Sequence, residues 1–259
     1  MSTVEIVVIS LLSAEQRRRR ISAMFEGSQL NWRYYDAHNS LQHSGLSYDA
    51  ARVKKTFGRT LSVPEIAICS SHVAVLEQYV TTGVADYILV FEDDVIFDIN
   101  FPIERFGDFC RQKKIQYMRL FAKHYVEGIT LGYFYDRHIV RFKTSPTGAQ
   151  AYLMSKSGAK SFLQSFTAID QPLDLALDSF WRTGLPLYSI FPFPIIEGFS
   201  RSQNLIPPYT DARDLSDRIT RFYTRAANKT KKAWANFELA ARDRKMKRAG
   251  DAFQQIFDD

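Results

Sequence analysis

Cysteine is nearly absent: Cys69 and Cys110 are the two in 259 residues, and their spacing matches no metal-binding pattern. A disulfide-stapled scaffold and a structural zinc site are therefore excluded. Long apolar runs are missing as well. The longest, residues 87–91, falls far short of the roughly 20 residues that span a bilayer. Strand-like sequence begins by Val4 with no signal peptide ahead of it, so a reducing, cytoplasmic setting is expected. There is no G-x-G-x-x-G, no Walker A loop and no nucleophile elbow. Beyond Pro208 there is no further proline and a single glycine, Gly250.

What is present is ample apolar content for a packed core, 46% of residues, which argues against disorder. The net charge of +6 is unevenly placed. Residues 213–248 hold 12 Lys/Arg against 4 Asp/Glu, a local +8, so the remainder of the chain sums to −2. The protein is an acidic body with a basic tail.

The body alternates strand and helix patterns, which predicts an α/β domain with a mostly parallel sheet and flanking helices. Strands are expected at 4–10, 32–35, 86–91, 117–121, 138–142, 150–154 and 187–191. Helices are expected at 17–25, 62–82, 155–166 and 173–182. Ser62 and Glu65 form a capping box with Pro64 in the first turn. Residues 37–60 and 122–136 read as loops. The domain boundary falls between 1–209 and 210–259. In the second part Tyr223, Ala226, Thr230, Trp234, Phe237 and Ala241 recur at helical spacing, which predicts a basic amphipathic helix.

Glu92-Asp93-Asp94 follow the most apolar strand directly, where open α/β sheets bind ligands. At roughly 6 Å and an effective dielectric near 20, each carboxylate pair costs about 3 kcal/mol. Water, a basic partner or a cation must offset that. Mg²⁺ or Mn²⁺ on a diphosphate suits such a site; a solvated turn is the plain alternative. Ser10 and Leu11 end the first strand near the same crevice. Arg17 and Arg18 open the next helix, where cations oppose the helix dipole and a diphosphate would explain them. Asp36 ends the second strand and is placed for a ribose or base. Gly148 and Gln150 precede a strand and could lie against a sugar. His72 sits on the apolar stripe of its helix and reads as a core histidine. Asp174 and Asp178 share one helix face.

In order, these segments resemble glycosyltransferase family 25, the bacterial lipopolysaccharide and lipooligosaccharide sugar transferases. The matching stretches are Val8-Ile-Ser-Leu11 with Arg17-Arg18, Tyr35-Asp36-Ala37, Gly58-Arg-Thr-Leu-Ser62 and Glu65-Ile-Ala-Ile-Cys-Ser-Ser-His72. They continue with Leu89-Val-Phe-Glu-Asp-Asp-Val95, Thr147-Gly-Ala-Gln-Ala-Tyr152, Ser157-Gly-Ala159 and Pro172-Leu-Asp174. They span roughly residues 4–205 and leave the tail uncovered.

The resemblance implies a type-A glycosyltransferase fold that is Rossmann-like and binds a nucleotide sugar. It implies Mn²⁺ or Mg²⁺ held by Glu92 and Asp94, with Asp93 among the donor-binding residues. It also implies inversion at the anomeric carbon, with galactose from UDP-galactose passed to a lipopolysaccharide or lipooligosaccharide glycan. Inversion needs one general base; the resemblance points to Asp174, with Asp178 and Glu197 in reserve. Two other functions compete. One is an aspartate-based, Mg²⁺-dependent phosphotransferase, whose Lys and Ser/Thr partners are not assignable. The other is a nucleic-acid-binding module using the basic tail, for which acids at the strand end would be a liability. No nucleic-acid partner is expected on the favoured reading. The tail has two readings. It lies on the inner face of the cytoplasmic membrane with Trp234 and Phe237 towards lipid, or the same stripe packs on the body.

Overall fold

The structure, a computed structural model, describes residues 2–124, 126–198, 215–248 and 253–254. The chain opens with β1 (Val4–Ser10), α1 (Glu15–Phe25), β2 (Trp32–Asp36), α2 (Ala50–Thr56) and α3 (Val63–Thr82). Then come β3 (Tyr87–Glu92), β4 (Val95–Phe97), α4 (Ile103–Gln112), β5 (Tyr117–Arg119), β6 (Gly128–Phe134) and β7 (Arg137–Phe142). β8 (Ala151–Ser155), α5 (Lys156–Ser165), α6 (Leu173–Leu177), α7 (Phe180–Thr183), β9 (Tyr188–Phe191) and β10 (Ile195–Glu197) follow. The last described elements are α8 (Leu215–Arg248) and β11 (Phe253–Gln254).

β1 and β3 are apolar almost throughout because both faces of the sheet are covered. Successive side chains of a strand point to opposite faces. Ile6, Val8, Leu89 and Phe91 accordingly pack with Ile21 and Phe25 of α1 and Phe106 of α4. Val7, Ile9, Ile88 and Val90 pack on the other face, with Val73 and Leu76 of α3 and Phe162 of α5. Each such side chain contributes about 1.5–3 kcal/mol on burial.

Among the described residues the main sheet runs β11-β6-β7-β9-β5-β8-β3-β1-β2. β7 and β8 run against the other seven strands. A short antiparallel pair, β10 with β4, stands apart. The α/β class, the common direction of most strands and the basic C-terminal helix are as expected. The expected domain boundary at 209 lies outside the described residues.

Several local expectations are corrected. Residues 37–60 are not all loop: Asp49 accepts from the Arg52 amide and caps α2. Residues 122–136 contain β6, whose strand pattern is masked by its own glycines and a bulge at 130–132. The stretch 173–182 is two short helices, α6 and α7, because Asp178 turns inward to meet a buried arginine. α4, β4 and β10 were not foreseen. The capping box of α3 is present, and Arg59 adds a two-pronged ion pair to Glu65.

α8 packs on the body, but not through its aromatic stripe. Arg141, buried in β7, donates twice to Asp243 of α8, at 2.9 and 2.6 Å. Asn236 accepts from Arg141 and donates to the Lys143 carbonyl at 3.0 Å. The Arg221 side chain lies against Gly58, whose φ of +104° no L side chain adopts readily. A Cβ there would meet that guanidinium at 2.3 Å, so a larger residue would also have to displace the end of the Arg221 side chain.

Removing one partner of a buried ion pair costs about 3–5 kcal/mol. Asp243→Ala should therefore lower Tm by many degrees and expose α8 to trypsin, read by thermal unfolding and limited proteolysis. A variant as protease-resistant as the parent would show that the helix is held by something else.

Candidate active site

Three parallel strands end along one edge of the sheet. Ser10 aligns with Asp36, and Ile9 with Glu92, so β1, β2 and β3 deliver their last residues side by side. β8 enters that edge from the opposite direction, and the Gln150 carbonyl accepts from the Glu92 amide at 2.9 Å. The topology thus gathers Ser10, Leu11, Asp36, Glu92 and Gln150. Asp93 and Asp94 occupy the turn into β4.

The three acids do not share one environment. Asp93 points inward, where Ser10 Oγ donates to it at 2.6 Å and Arg17 pairs with it at 2.9 Å. The Asp93 carbonyl also receives Arg20, at 3.3 Å. Its charge is therefore answered by protein. Glu92 and Asp94 have no such ion pair, and the Arg17 charge offsets only part of the rise at Asp94. Burial, and then the charges of Asp94 and Asp93, push the Glu92 carboxyl up to about 8. Burial raises Asp94 too, followed by Asp93 and Glu197. Asp94 Oδ1 is buried with no hydrogen-bond partner among the described residues. An orphaned carboxylate oxygen beside a second half-buried carboxyl fits a hard divalent cation. No three His, Cys, Asp or Glu side chains among the described residues are grouped to cage a metal alone. A cation here must complete its shell with substrate oxygens or water.

The arginines opening α1 divide between the site and solvent. Arg18 binds Asp36 and donates to the carbonyls of Ser10 at 2.8 Å and Leu11 at 3.1 Å. Arg19 turns out to Glu15. Three of the four arginines thus brace the sheet edge, which explains cations that oppose the helix dipole.

The opposite wall rests on Arg119, a fully buried guanidinium at the end of β5. It pairs with Asp178 and donates to the carbonyls of Thr147, Gly148 and Phe121. Thr147 and Gly148 both have positive φ, 59° and 82°. For a β-branched residue such a conformation costs on the order of 1–3 kcal/mol. Arg119 holds it in place. Asp178 is 1% exposed, and its second oxygen accepts from Ser145. What sets it apart from Asp174 is burial beside Arg119, which ties it to the packing of this wall. Asp174 is half-buried and accepts from the amides of Gly148 at 3.0 Å and Leu175 at 2.8 Å. Gln150 is buried with its Oε1 next to Gly148 and unpartnered among the described residues. Glu197 is exposed at the end of β10, paired in register with Val95.

His72 is buried as expected of a core residue, and its Nδ1 meets the Tyr152 hydroxyl at 3.0 Å. It is not fully satisfied. Nε2 has no hydrogen bond and lies 3.8 Å from Glu92 Oε1, too far for one. Burial drives its pKa down to about 3, so the ring is neutral. His72, Tyr152 and Arg119 are the residues that sequence reasoning underused. The signal for Arg119 was a lone charge inside the apolar run 117–121.

Residues 3–181 match the family described as Glycosyltransferase family 25 (LPS biosynthesis protein). The chain belongs to that family. Family 25 relatives include a rat protein named probable inactive glycosyltransferase 25 family member 3, 34% identical over 104 residues. That match covers 38% of this chain and 18% of the rat protein. A human protein named inactive glycosyltransferase 25 family member 3 is 30% identical, over 44% of this chain and 20% of its own length. The chain thus spans about a fifth of these mammalian relatives. Lacto-N-neotetraose biosynthesis glycosyltransferase LgtE of Neisseria gonorrhoeae is 25% identical over 71% of each chain.

The raised Glu92 carboxyl has a consequence for stability. The folded state binds that proton more tightly than the unfolded chain, whose glutamate titrates near 4.5. Stability is therefore lost as pH rises from about 4.5 through 8. Glu92→Gln removes the loss. Its Tm should exceed that of the parent at pH 8, by about 2–4 °C for each 1 kcal/mol relieved, and the gap should close below pH 4.5. An unchanged Tm at both pH values would mean that Glu92 is not strained.

Proposed function

We propose that the chain is an inverting hexosyltransferase that moves galactose from UDP-galactose to a lipopolysaccharide or lipooligosaccharide glycan. The observation that carries this reading is the Glu92–Asp94 pair, short of positive charge at the sheet edge and walled by the Arg17–Arg18 and Asp174 sides. Family membership supports the reaction class, and the name of the gonococcal relative supports a glycan acceptor.

Glu92 and Asp94 would hold Mn²⁺ or Mg²⁺ against the donor diphosphate. When bound, that cation offsets negative charge on the departing UDP. The chain's own residues do the rest. Ser10 and Leu11 present backbone to the nucleotide, and Asp36 is placed for ribose. Arg17 and Arg18 orient this edge by pairing with Asp93 and Asp36. Gly148 and Gln150 face the sugar; the unpartnered Gln150 amide oxygen can accept from a sugar hydroxyl. Asp174 takes the proton of the acceptor hydroxyl as its oxygen bonds to the anomeric carbon from the face opposite UDP. The bond to UDP breaks in the same step, which inverts the centre. Each Asp174 oxygen accepts one amide hydrogen bond and keeps capacity for that proton. Glu197 is the second candidate base, being exposed and next to the acids.

UDP release from a panel of UDP-sugars, with Mn²⁺ and a truncated lipooligosaccharide acceptor, tests the reading. UDP-galactose should be the preferred donor. Asp94→Ala should abolish release. Asp174→Asn should lower transfer by roughly 10²–10⁴-fold with donor binding retained. Near-normal transfer by a folded Asp174→Asn, together with loss in Glu197→Gln, would move the base to Glu197. No release from any donor would reject the activity and align the chain with the mammalian relatives named inactive.

A further inference from the structure

α8 is amphipathic in the reverse of the usual sense. Its body-facing side carries Arg221, Lys232, Asn236, Asp243 and three apolar contacts, Ala235, Leu239 and Met246. Its outward side carries Ile219, Phe222, Tyr223, Trp234 and Phe237, each between 50% and 69% exposed. These five recur at helical spacing and form one stripe along the helix. On that side they form two exposed aromatic clusters, Phe222 with Tyr223 and Trp234 with Phe237, rather than scattered surface residues.

Exposed basic residues line both margins of that stripe. Arg218 and Lys229 flank one side; Lys231, Arg242 and Lys245 flank the other. An aromatic stripe between two cationic borders suits a surface that is apolar below and anionic at the rim. Trp and Tyr add rings that favour the boundary between headgroup and hydrocarbon. A second copy of the chain fits this face poorly. Two helices meeting on it would bring +8 against +8, since residues 213–248 hold 12 Lys/Arg and 4 Asp/Glu. Nor does the helix cross the membrane, since no helix among the described residues is long and apolar enough.

We infer that the outward face of α8 docks the protein on an anionic lipid bilayer, with Phe222, Trp234 and Phe237 entering the headgroup boundary. The inference does not depend on the proposed donor or base. It is independent of the transfer chemistry, because none of these residues belongs to the site.

The test is co-sedimentation of the full chain with vesicles of phosphatidylglycerol and phosphatidylcholine, against phosphatidylcholine alone, at low and high salt. The parent should bind the anionic vesicles and release at high salt. Trp fluorescence should shift to the blue on binding. Phe222→Ser with Phe237→Ser should cut binding by about tenfold or more at unchanged Tm and circular dichroism. Lys231→Glu with Lys245→Glu should reduce binding to the anionic vesicles. Equal binding to both vesicle types, or full binding by the folded stripe variant, would overturn the inference. So would a dimer in sedimentation velocity that the stripe variant abolishes, which would assign the face to a second copy. Capture by an RNA homopolymer that the stripe variant loses while vesicle binding stays absent would assign it to nucleic acid.

Discussion

Two carboxylates short of positive charge, Glu92 and Asp94, impose the main constraint on the body of this protein. Carboxylates at the end of an apolar strand repel one another, and the protein has relieved only part of that repulsion. Asp93 is turned inward and answered by Ser10 and Arg17. Its two neighbours are left with burial and the charges of the surrounding acids, which raise both. A fold that needed only a strand end would gain stability by replacing them. On the proposed reading the missing positive charge arrives with the bound cation. The same constraint orders the elements nearby. α1 begins with arginines despite its dipole because the sheet edge next to it is acidic.

The facing wall is built on the opposite principle, a charge neutralised completely. Arg119 is enclosed by Asp178 and three backbone carbonyls. Those contacts fix the left-handed Thr147–Gly148 turn, and the Gly148 amide in turn fixes Asp174. A carboxylate positioned through a backbone amide keeps its place without a cationic partner. Any group that must accept a proton gains from that, since a paired guanidinium would hold it ionised. The closed network at Arg119 and the open acids at Glu92 are therefore complementary: one gives rigidity, the other leaves demand.

The legible parts of the sequence were those set by periodicity and by short-range chemistry. β1 and β3 announced themselves as apolar runs, and the Ser62–Glu65 box marked the start of α3. The acids at Glu92–Asp94 were visible because a charged cluster directly after such a strand is a local signal. What stayed hidden depends on distant partners. Asp178 looked equivalent to Asp174, four residues away on the same face. Only the arrival of Arg119, 59 residues earlier in the chain, separates a structural anion from an accessible acid. His72 sat on an apolar stripe and was read as core, which is right for Nδ1 and incomplete for Nε2. β6 was lost because glycine and a bulge break the alternation on which strand recognition relies.

The basic tail shows why composition cannot stand in for geometry. A helix carrying a net positive charge beside an acidic body suggests attraction between the two. The buried ion pair joining them runs the other way: the body supplies Arg141, and the helix supplies Asp243 from its small acidic minority. The exposed lysines and arginines of α8 are consequently not consumed by the body. Its aromatics are not consumed either, since the packed face uses Arg221, Lys232, Asn236, Asp243, Ala235, Leu239 and Met246. Both of the features that make the tail conspicuous in the sequence are therefore presented outward. An interaction that fixed the helix through its basic residues or its rings would have hidden that surface. Fixing it mainly through Asp243 and Asn236, with Arg221 and Lys232 the basic residues turned inward, leaves the outward surface available.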